Sequence, residues 1–421
     1  MRLLVVGNGG REHALVWKLA QSPHVSKLYC APGNAGSRQQ AESVPIVADN
    51  ISALRDFAEA QRIDLTVVGP ELPLALGITN AFADRGLCVF GPTRAAAQLE
   101  ASKAFAKTFM WEHGIPTAEA VICDNLATAQ DYIRRHQGPL VVKADGLAAG
   151  KGVTVCQTPD EALQAVQRAM QERVFGEAGS RVLLEDCLIG EEASFHVLVD
   201  GETVLPLPVS QDHKCIYDGD RGPNTGGMGA YSPAPVITET LQVRILTDII
   251  EPTIQGMAAR GTPYRGVLYT GLMIVEGRPY VIEFNARFGD PETQPILVRL
   301  ANDLLPLLDG AARGGLLGLR AECVPDAAVC VVMAAAGYPG AYAKGLPITG
   351  LETVAPSAHT WVFHAGTDLH DGRVVTSGGR VLGVTARAAS IASAIQQVYQ
   401  TVEQIWWPGV YYRRDIGYRA L

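Results

Sequence analysis

The segment 140–155 combines residue types that can bind a chain of phosphates. Lys143 lies at the end of an apolar, β-type run. A loop that contains a second lysine, Lys151, follows, and a second β-type run begins after this loop. The three glycines of this loop are Gly146, Gly150 and Gly152. Glycine lets backbone N–H groups turn toward an anion, and lysine supplies a positive charge. The spacing does not fit a P-loop, so we expect a hairpin that closes over nucleotide phosphates; an ordinary glycine-rich hairpin is the alternative.

Two oxygen-bearing side chains, Glu283 and Asn285, stand two residues apart near the end of a later β-type run. Strand periodicity points both to the same face, and Arg287 follows on that face if the extended conformation continues. A carboxylate, an amide oxygen and nucleotide phosphates form the oxygen-rich shell that Mg²⁺ prefers. An E-x-N pair is weak evidence by itself, so a metal site here depends on the phosphate-binding segment.

The elements that position these residues follow from the local sequence. A helix is predicted over 94–113, with Gly114 as its C-cap. Lys103 and Lys107 are four residues apart and therefore lie on one face of this helix. They either face the phosphates together or form a solvated face on which Glu100 pairs with Lys103.

The segment 185–199 begins with acidic residues and continues as a strand. Its acidic pair, Glu191 and Glu192, lies beside the hairpin in this prediction, where carboxylates could accept hydrogen bonds from ribose hydroxyls. Adenine would suit the backbone of the connection Glu185–Leu188. The alternative is solvated charge at a strand edge.

Residues 1–91 alternate strand and helix, which predicts a parallel sheet with ligand loops at the carboxyl ends of its strands. Those loops are 7–12, 31–36 and 69–71. The dinucleotide fingerprint G-x-G-x-x-G would need a glycine where Glu12 stands, and no acid ends the second strand. NAD binding is therefore disfavoured, and we expect a small phosphate at the helix N-terminus.

Two further regions are expected to enclose the site. Residues 210–231 are predicted to form a long loop rich in glycine and charge, which is usually functional in a compact domain, and we expect it to cover the substrate. The last hundred residues return to alternating strands and helices, with a helix predicted over 388–405. We expect this region to pack against the nucleotide domain and to wall the site.

Composition limits the class of protein. The 421 residues suffice for about two to four domains. No window approaches the ~18 unbroken apolar residues of a membrane span, and the N-terminus does not resemble a signal peptide. Eight cysteines without a C-x-x-C pair predict reduced thiols and hence the cytosol. A net charge of −8 argues against nucleic-acid binding.

In combination, these residues resemble an ATP-grasp ligase. Within that superfamily the chain closely resembles the phosphoribosylamine–glycine ligases, through the stretches 7–13, 31–36, 69–71, 143–153, 224–231 and 285–292. The resemblance implies an α/β fold with three parts. They are an N-terminal parallel α/β domain that binds substrate (1–100), a central two-lobed ATP-grasp α+β region (101–324, with a hairpin lid at about 117–190) and a small C-terminal α/β domain (325–421).

The resemblance also implies a reaction. The family converts ATP to ADP and phosphate, activates glycine as glycyl phosphate, and transfers the glycyl group to the nitrogen of 5-phosphoribosylamine. The product is the glycinamide ribonucleotide of de novo purine synthesis, and the metal is Mg²⁺ or Mn²⁺. We expect a cytoplasmic monomer that acts on small molecules, with no nucleic-acid or membrane partner.

Roles for individual residues follow from the same resemblance. ATP would contact Lys103, Lys143, Gly146, Gly150, Lys151, Gly152, Glu185, Leu188 and Glu192. The substrates would contact Asn8, Gly9, Gly10, Glu71, Asp212, Gly227 and Arg287. Metal would bind Glu283 and Asn285. The catalytic set would be Arg287 on the glycine carboxylate or acyl phosphate, Lys151 on the phosphates and Asp212 on the glycine ammonium.

Two departures from the family pattern matter. Many ATP-grasp enzymes carry a further metal-binding acid on the preceding strand, and 269–275 offers none; the hinge also lacks the aromatic that often follows its acidic pair. The nearest alternatives are another purine-pathway ATP-grasp enzyme and a biotin-carboxylase-like one, which the N-terminal loops and 210–231 disfavour. A non-catalytic nucleotide-binding regulator is disfavoured by the intact lysine–Glu–Asn set, and an NAD-linked oxidoreductase by the broken fingerprint.

Overall fold

The computed structural model describes residues 1–148, 151–354 and 358–421. Within these residues the strands form four sheets of four or five strands and two ribbons of two strands. The expected fold class is confirmed: a parallel N-terminal α/β sheet, a central region with two antiparallel sheets, and a smaller C-terminal sheet with its helix. In the described part of the chain, no helix has the length and apolar character needed to cross a membrane.

The N-terminal sheet is parallel and has five strands. In spatial order they are Glu42–Ser43, Lys27–Pro32, Arg2–Gly7, Leu65–Val68 and Val89–Phe90. Both faces are buried, because Leu4 and Val6 enter one hydrophobic core while Leu3 and Val5 enter another. The helices of this region are Gly10–Leu19, Ile51–Ala60, Glu71–Leu76 and Ile78–Ala83. The three expected ligand loops follow the carboxyl ends of neighbouring strands.

The helix expected over 94–113 is interrupted, so that prediction is wrong. Ser102 has extended backbone angles (φ −135°, ψ 113°) and separates the helices Gln98–Ala101 and Lys103–Glu112. Its hydroxyl accepts a hydrogen bond from the amide three residues later and donates one to Asp145. Because an N-cap residue keeps non-helical angles, the interruption starts a new helix.

The glycine-rich hairpin belongs to a four-stranded antiparallel sheet, which we call the hairpin sheet. In spatial order its strands are Ala120–Cys123, Val182–Asp186, Leu140–Ala144 and Val153–Cys156. The predicted hairpin is confirmed, with Lys143 opposite Val153. The helices Leu126–Arg135 and Pro159–Val166 pack their apolar residues against this sheet, and a π-helical turn, Gln167–Gln171, continues the second.

A second antiparallel sheet, the central sheet, carries the E-x-N pair on its edge strand. In spatial order its strands are Val204–Pro206, Glu191–Asp200, Arg265–Val275 and Arg278–Asn285. Gly271 pairs with Glu283 but the next residue, Leu272, pairs with Val281, which leaves Ile282 unpaired in a bulge. The helical segments of this region are Glu239–Ile245, Leu246–Ile250 (π-helical), Glu251–Ala259, Thr293–Arg299 and Leu304–Arg313.

The C-terminal sheet takes two of its strands from the middle of the chain. In spatial order its strands are Gln211–Asp212, Gly229–Ser232, Ala327–Ala334, Arg380–Ala388 and Thr360–His364, all antiparallel. The prediction of a continuous loop over 210–231 is therefore wrong, since Cys215–Tyr217 and Arg221–Asn224 also pair there. Such short, polar strands give no alternating apolar pattern. The helix Ile391–Val402 packs on the sheet, and a ribbon, Thr367–His370 with Arg373–Thr376, extends from it.

Candidate active site

A cavity of about 610 Å³ lies where the N-terminal loops, the hairpin sheet, the central sheet and the C-terminal region meet. The expected site residues that line it are Asn8, Gly9, Glu71, Lys103, Lys143, Lys151, Gly152, Glu185, Leu188, Glu192, Asp212, Glu283, Asn285 and Arg287. Gly10, Gly146 and Gly227 do not line it but are chain neighbours of residues that do. Gly150 lies outside the described residues. The residues expected for the nucleotide and for the substrates thus share one space.

Glu185 lies between two lysines on the hairpin-sheet side of the cavity. Its Oε2 is 2.8 Å from Lys143 Nζ, and its Oε1 is 3.4 Å from Lys107 Nζ. Lys107 is only 1% exposed, and burial lowers its pKa to about 8 although Glu185 opposes this change. Lys107 was not among the expected site residues. Its spacing of four from Lys103 was the only sequence signal for it.

Lys103 stands in the first turn of its helix and reaches the glycine loop. Its Nζ donates to the Gly146 carbonyl at 3.2 Å. Gly146 has φ +137°, and a Cβ there would lie 2.9 Å from the Cβ of Ala178, so glycine is required at this point. Lys151 is exposed at the other end of the loop, next to Gly152. The loop therefore has one end that Lys103 fixes and one end with an exposed lysine that lines the cavity.

Glu283 and Asn285 are the oxygen donors available for a metal. Burial by itself would raise the pKa of Glu283. The positive charges of Lys214, Lys143 and Lys103 outweigh this effect and lower the pKa to about 2, so the carboxylate is ionised at neutral pH. The amide oxygen of Asn285 accepts a hydrogen bond at 3.2 Å and keeps a second lone pair. Outside the two gaps in the described chain, no cluster of three His, Cys, Asp or Glu side chains could hold a metal. This pair fits Mg²⁺ if phosphate oxygens or water complete the shell.

Lys214 provides a cation between two carboxylates of the cavity wall. Its Nζ lies 3.3 Å from Glu192 Oε2 and 3.4 Å from Glu283 Oε1. Against the effect of burial, these carboxylates and Asp212 raise the pKa of Lys214 well above its ordinary value. Lys214 was not an expected site residue, because nothing in its local sequence shows which carboxylates it meets.

Asp212 and Glu292 are buried acids on the cavity wall. Burial raises the pKa of Asp212 to about 8. The positive charge of Lys214 opposes this rise, and the negative charges of Glu292 and Glu192 add to it. Burial also raises the pKa of Glu292, whose Oε1 accepts a hydrogen bond from Ser194 at 3.3 Å. Buried acids with raised pKa values ionise more readily when a cation enters. This part of the cavity therefore suits an ammonium group.

Arg287 is held by two carboxylates. Its Nε lies 3.2 Å from Glu71 Oε2, and its Nη2 lies 3.0 Å from Glu100 Oε1. The suggestion that Glu100 pairs with Lys103 is therefore wrong. Burial raises the pKa of Glu100 to about 7, although the charge of Arg287 opposes the rise. Arg287 thus enters the cavity with its orientation already set by the protein.

Glu12, the residue that interrupts the dinucleotide fingerprint, shapes the first ligand loop. Its carboxylate pairs with Arg11 and accepts a hydrogen bond from the Gly9 amide at 2.6 Å. A Cβ at Gly69 would lie 1.9 Å from Glu12 Oε1, and one at Gly7 would lie 2.6 Å from Glu12 Cγ. Glu12 therefore fills the space between two loops and places a protein carboxylate at this helix N-terminus.

Asn34 joins the same loop to the C-terminal sheet. Its Nδ2 donates to the carbonyls of Asn8 at 2.9 Å, Gly9 at 3.3 Å and His364 at 2.7 Å. The Asn34 side chain is buried and supplies a hydrogen-bond donor to all three carbonyls, of which Gly9 O also accepts from the His13 amide at 3.1 Å. Sequence reasoning placed Asn34 in a ligand loop but gave it no role of its own.

Family models cover nearly the whole chain. They are described as the N domain, the ATP-grasp (A) domain and the C domain of phosphoribosylglycinamide synthetase, and they match residues 1–100, 101–293 and 328–419. The chain belongs to the phosphoribosylglycinamide synthetase family. Two similar relatives are named phosphoribosylamine–glycine ligase. The Vibrio cholerae protein is 53% identical, and the match covers 100% of this chain and 99% of that protein. The Pseudomonas aeruginosa protein is 54% identical, and the match covers 100% of this chain and 98% of that protein.

Solved structures agree with this family assignment. The crystal structure of phosphoribosylamine–glycine ligase from Thermotoga maritima matches this synthetase-family chain with a TM-score of 0.86 and 33% identity, over 99% of this chain and 100% of that one. The biotin carboxylase domain of Hydrogenobacter thermophilus 2-oxoglutarate carboxylase matches with a TM-score of 0.75 and 16% identity, over 98% and 91%. The second likeness concerns the fold alone. The resemblance to ATP-grasp ligases that the sequence indicated is confirmed.

Proposed function

We propose that this protein is an ATP-dependent carbon–nitrogen ligase. It joins glycine to 5-phosphoribosylamine through glycyl phosphate and releases glycinamide ribonucleotide, ADP and phosphate, as a step of de novo purine synthesis. The observation that carries this proposal is the shared cavity, in which the lysines, the Glu283–Asn285 pair and the N-terminal loops meet. Full-length relatives that are named phosphoribosylamine–glycine ligase support the same activity.

ATP would lie between the hairpin sheet and the central sheet. Lys103, Lys143 and Lys151 would neutralise its phosphates, with the backbone of Gly146, Gly150 and Gly152 closing over them. Glu192 would bind the ribose. The amides of Asp186 and Cys187 already donate to protein carbonyls, so among the described hinge residues the Leu188 amide is left for adenine. Glu185 would act indirectly, since it orients Lys143 at 2.8 Å.

Glu283 and Asn285 would hold Mg²⁺, or Mn²⁺ in its place. When bound, this metal would neutralise charge on the β- and γ-phosphates, which is most of what phosphoryl transfer requires. The biotin carboxylase domain with the related fold is described as a complex with MgADP, which supports a magnesium nucleotide here. The low pKa of Glu283 keeps its carboxylate ready for a cation at neutral pH.

Glycine would be bound at both ends and activated at its carboxylate. Asp212, with Glu292 beside it, would take the ammonium group, and Arg287 would orient the carboxylate toward the γ-phosphorus. A carboxylate oxygen then attacks that phosphorus, the bond to the β,γ-bridging oxygen breaks, and ADP leaves. Lys214 and Lys151 would face the negative charge that moves during this transfer. The closed hairpin would keep water from the acyl phosphate.

The second step would occur at the N-terminal loops. Asn8 and Gly9, which line the cavity, would bind 5-phosphoribosylamine together with their neighbour Gly10, and Glu71 would accept hydrogen bonds from its hydroxyls. Gly227, next to the lining residue Gly226, would contact a substrate as well. The amine nitrogen attacks the acyl carbon, phosphate leaves with the electron pair of its C–O bond, and the nitrogen loses a proton as the amide forms. No protein nucleophile is needed for this sequence of steps.

The test is ADP release with ATP, glycine and 5-phosphoribosylamine generated in situ, with each omitted in turn. We expect turnover only when all three are present. Turnover that persists without glycine contradicts the proposal, and ATP binding without any turnover would instead indicate a nucleotide-binding regulator. Bicarbonate-dependent turnover would favour the biotin-carboxylase-like alternative.

We also propose a domain division, an oligomeric state and a cellular location for this protein. The chain divides into a substrate-binding domain (1–100), an ATP-grasp domain (101–324, with the hairpin lid at about 117–190) and a C-terminal domain (325–421). The enzyme works as a monomer on small molecules, without nucleic acid. It acts in the cytoplasm, which its eight unpaired cysteines support because such thiols are typical of reducing compartments.

A further inference from the structure

The segment 411–419, near the end of the chain, contacts the segment 213–220. The hydrogen bonds that join them run from Tyr411 Oη to Ile216 O, from Arg413 Nη1 to Cys215 O, from Arg414 N to Asp218 Oδ1 and from Gly219 N to Asp415 Oδ2, at 2.9, 3.1, 2.9 and 2.7 Å. The two segments are therefore joined along their length rather than at one point. The segment 213–220 directly follows Asp212, which lines the active-site cavity.

Arg413 is the centre of this contact and is fully buried. Its Nε and Nη2 each donate to Asp415 at 2.7 Å, and its Nη1 donates to Asp220 at 2.9 Å. Asp220 also accepts hydrogen bonds from Arg419 and Tyr418. Burial by itself would raise the pKa of Asp220, but His213, Tyr418 and the two arginines lower it far below its ordinary range. A buried, bidentate arrangement of this kind fixes geometry as well as charge.

His213 lies between this contact and two residues of the active-site cavity. Its ring is completely buried, its Nε2 accepts a hydrogen bond from the Gly417 amide at 3.0 Å, and its Nδ1 lies 3.7 Å from Asp220 Oδ1. Because Nε2 accepts, the neutral ring carries its proton on Nδ1. The residues on either side, Asp212 and Lys214, both line the cavity, whereas His213 does not. Alternation along an extended chain accounts for this division.

We propose that the segment 411–419 is a positioning element for the ligase reaction. By fixing His213, it holds Asp212 against the glycine ammonium and Lys214 against the transferred phosphoryl group. The inference rests on the proposed function, which assigns these two roles. His213 and Arg413 themselves are positioning residues, because neither touches the space in which the reactants would lie.

Two conservative variants test this role. His213→Phe keeps a ring but removes the acceptor for the Gly417 amide, and Arg413→Lys keeps the charge but removes the bidentate pair with Asp415. We expect the KM for glycine to rise on the order of tenfold in each, with a lower kcat, because small displacements of positioning groups are costly. The Kd for ATP, measured by calorimetry without glycine, should stay within about twofold of wild type. The reason is that Lys143, which would bind the ATP phosphates, is oriented by Glu185 of the hairpin sheet and not by the segment 213–220.

Amide hydrogen exchange gives a readout independent of activity. A peptide covering 212–217 should exchange faster in both variants than in the wild-type protein. The matched control is Arg387→Lys in the same C-terminal sheet, where Arg387 donates to the Val298 carbonyl at 2.6 Å and pairs with Asp326 at 3.4 Å. This control should leave both the glycine KM and the exchange of 212–217 at wild-type values.

The outcomes are distinguishable. Unchanged glycine KM and unchanged exchange in folded variants overturn the positioning role, and so does an equal loss of affinity for ATP, which would indicate general destabilisation. If Arg413→Lys does not fold, His213→Phe decides alone. A wild-type protein without glycine-dependent turnover removes the proposed function and this inference together, whereas an active wild type with unaffected variants removes only the inference.

Discussion

Asn34→Ala should destabilise the junction between the first ligand loop and the C-terminal sheet. Asn34 is 2% exposed, and its side chain makes five hydrogen-bond contacts. Its Nδ2 donates to the carbonyls of Asn8, Gly9 and His364, at 2.9, 3.3 and 2.7 Å. Its Oδ1 accepts from the amides of Gly36 and Ser37, at 3.0 and 2.9 Å. Alanine would remove this shared partner from five backbone groups, of which Gly9 O keeps the His13 amide at 3.1 Å.

The magnitude follows from these contacts. The 3.3 Å contact shares Nδ2 with two shorter ones, so the side chain makes about four well-formed hydrogen bonds. At about 1 kcal/mol each, their loss lowers the free energy of unfolding by ~4 kcal/mol, and buried groups left unsatisfied extend the range to about 6 kcal/mol. Since Asn8 and Gly9 line the cavity, turnover at limiting 5-phosphoribosylamine should fall as well.

The matched control is Asn125→Ala. Asn125 also accepts from a backbone amide three residues later, but it is an exposed N-cap far along the chain, so the expected loss is about 1 kcal/mol. Urea unfolding followed by tryptophan fluorescence is a suitable assay, because Trp17 and Trp361 lie 5.5 Å apart across this junction. Equal losses in the two variants, within about 1 kcal/mol, would refute the reasoning, since the buried network would then contribute nothing extra.

Three other predictions concern the metal, the loops and pH. Glu283→Gln should weaken Mn²⁺ binding in the presence of ADP by more than about tenfold, measured by electron paramagnetic resonance, while Glu276→Gln in the exposed hairpin turn should not. Gly69→Ala should cost about 3 kcal/mol or more of unfolding free energy, because its Cβ would lie 1.9 Å from Glu12 Oε1. Burial, aided by a neighbouring histidine, lowers the pKa of His13 to about 3. Between about pH 6.5 and 3, the histidine is therefore protonated in the unfolded chain but not in the folded one. As the pH falls through this range, the free energy of unfolding should decrease by up to ~1.4 kcal/mol per pH unit.

Each of these predictions has its own control. Equal Mn²⁺ affinity in the two glutamate variants would move the metal away from the E-x-N pair. Gly315→Ala is the comparison for Gly69→Ala, because the nearest atom to its added Cβ is 3.7 Å away and its stability should hardly change. For the pH prediction, His13→Gln should flatten the slope of stability against pH below 6.5; a slope that stays the same would assign it to other groups.

Several structural features were predictable because they depend on neighbouring residues. The hairpin around Gly146 and Gly152, the parallel N-terminal sheet and the E-x-N strand end all follow from local alternation and turn chemistry. The prediction of one helix over 94–113 was wrong because Ser102 is compatible with a helix interior in the sequence. In the structure Ser102 has extended angles and caps a new helix through the Phe105 amide, while its hydroxyl also donates to the distant Asp145.

The partners of charged residues were not predictable. One of two alternatives paired Glu100 with Lys103, but Glu100 pairs with Arg287 in the structure. Lys214 was not assigned to Glu283. These contacts join residues that different sheets bring together, whereas periodicity along a strand or helix describes only its own neighbours.

The sequence by itself determined the chemistry that this protein can perform, because the side chains that bind phosphate, metal and sugar are recognisable by type and spacing. Tertiary structure decided how those groups are held. It placed Lys107 against Glu185 and brought two strands from the middle of the chain into the C-terminal sheet. It also brought the Gly417 amide, near the end of the chain, into a hydrogen bond with His213. The physical reason is that burial and ion pairing depend on which distant segments share a space, and short polar strands carry no apolar pattern that reveals it.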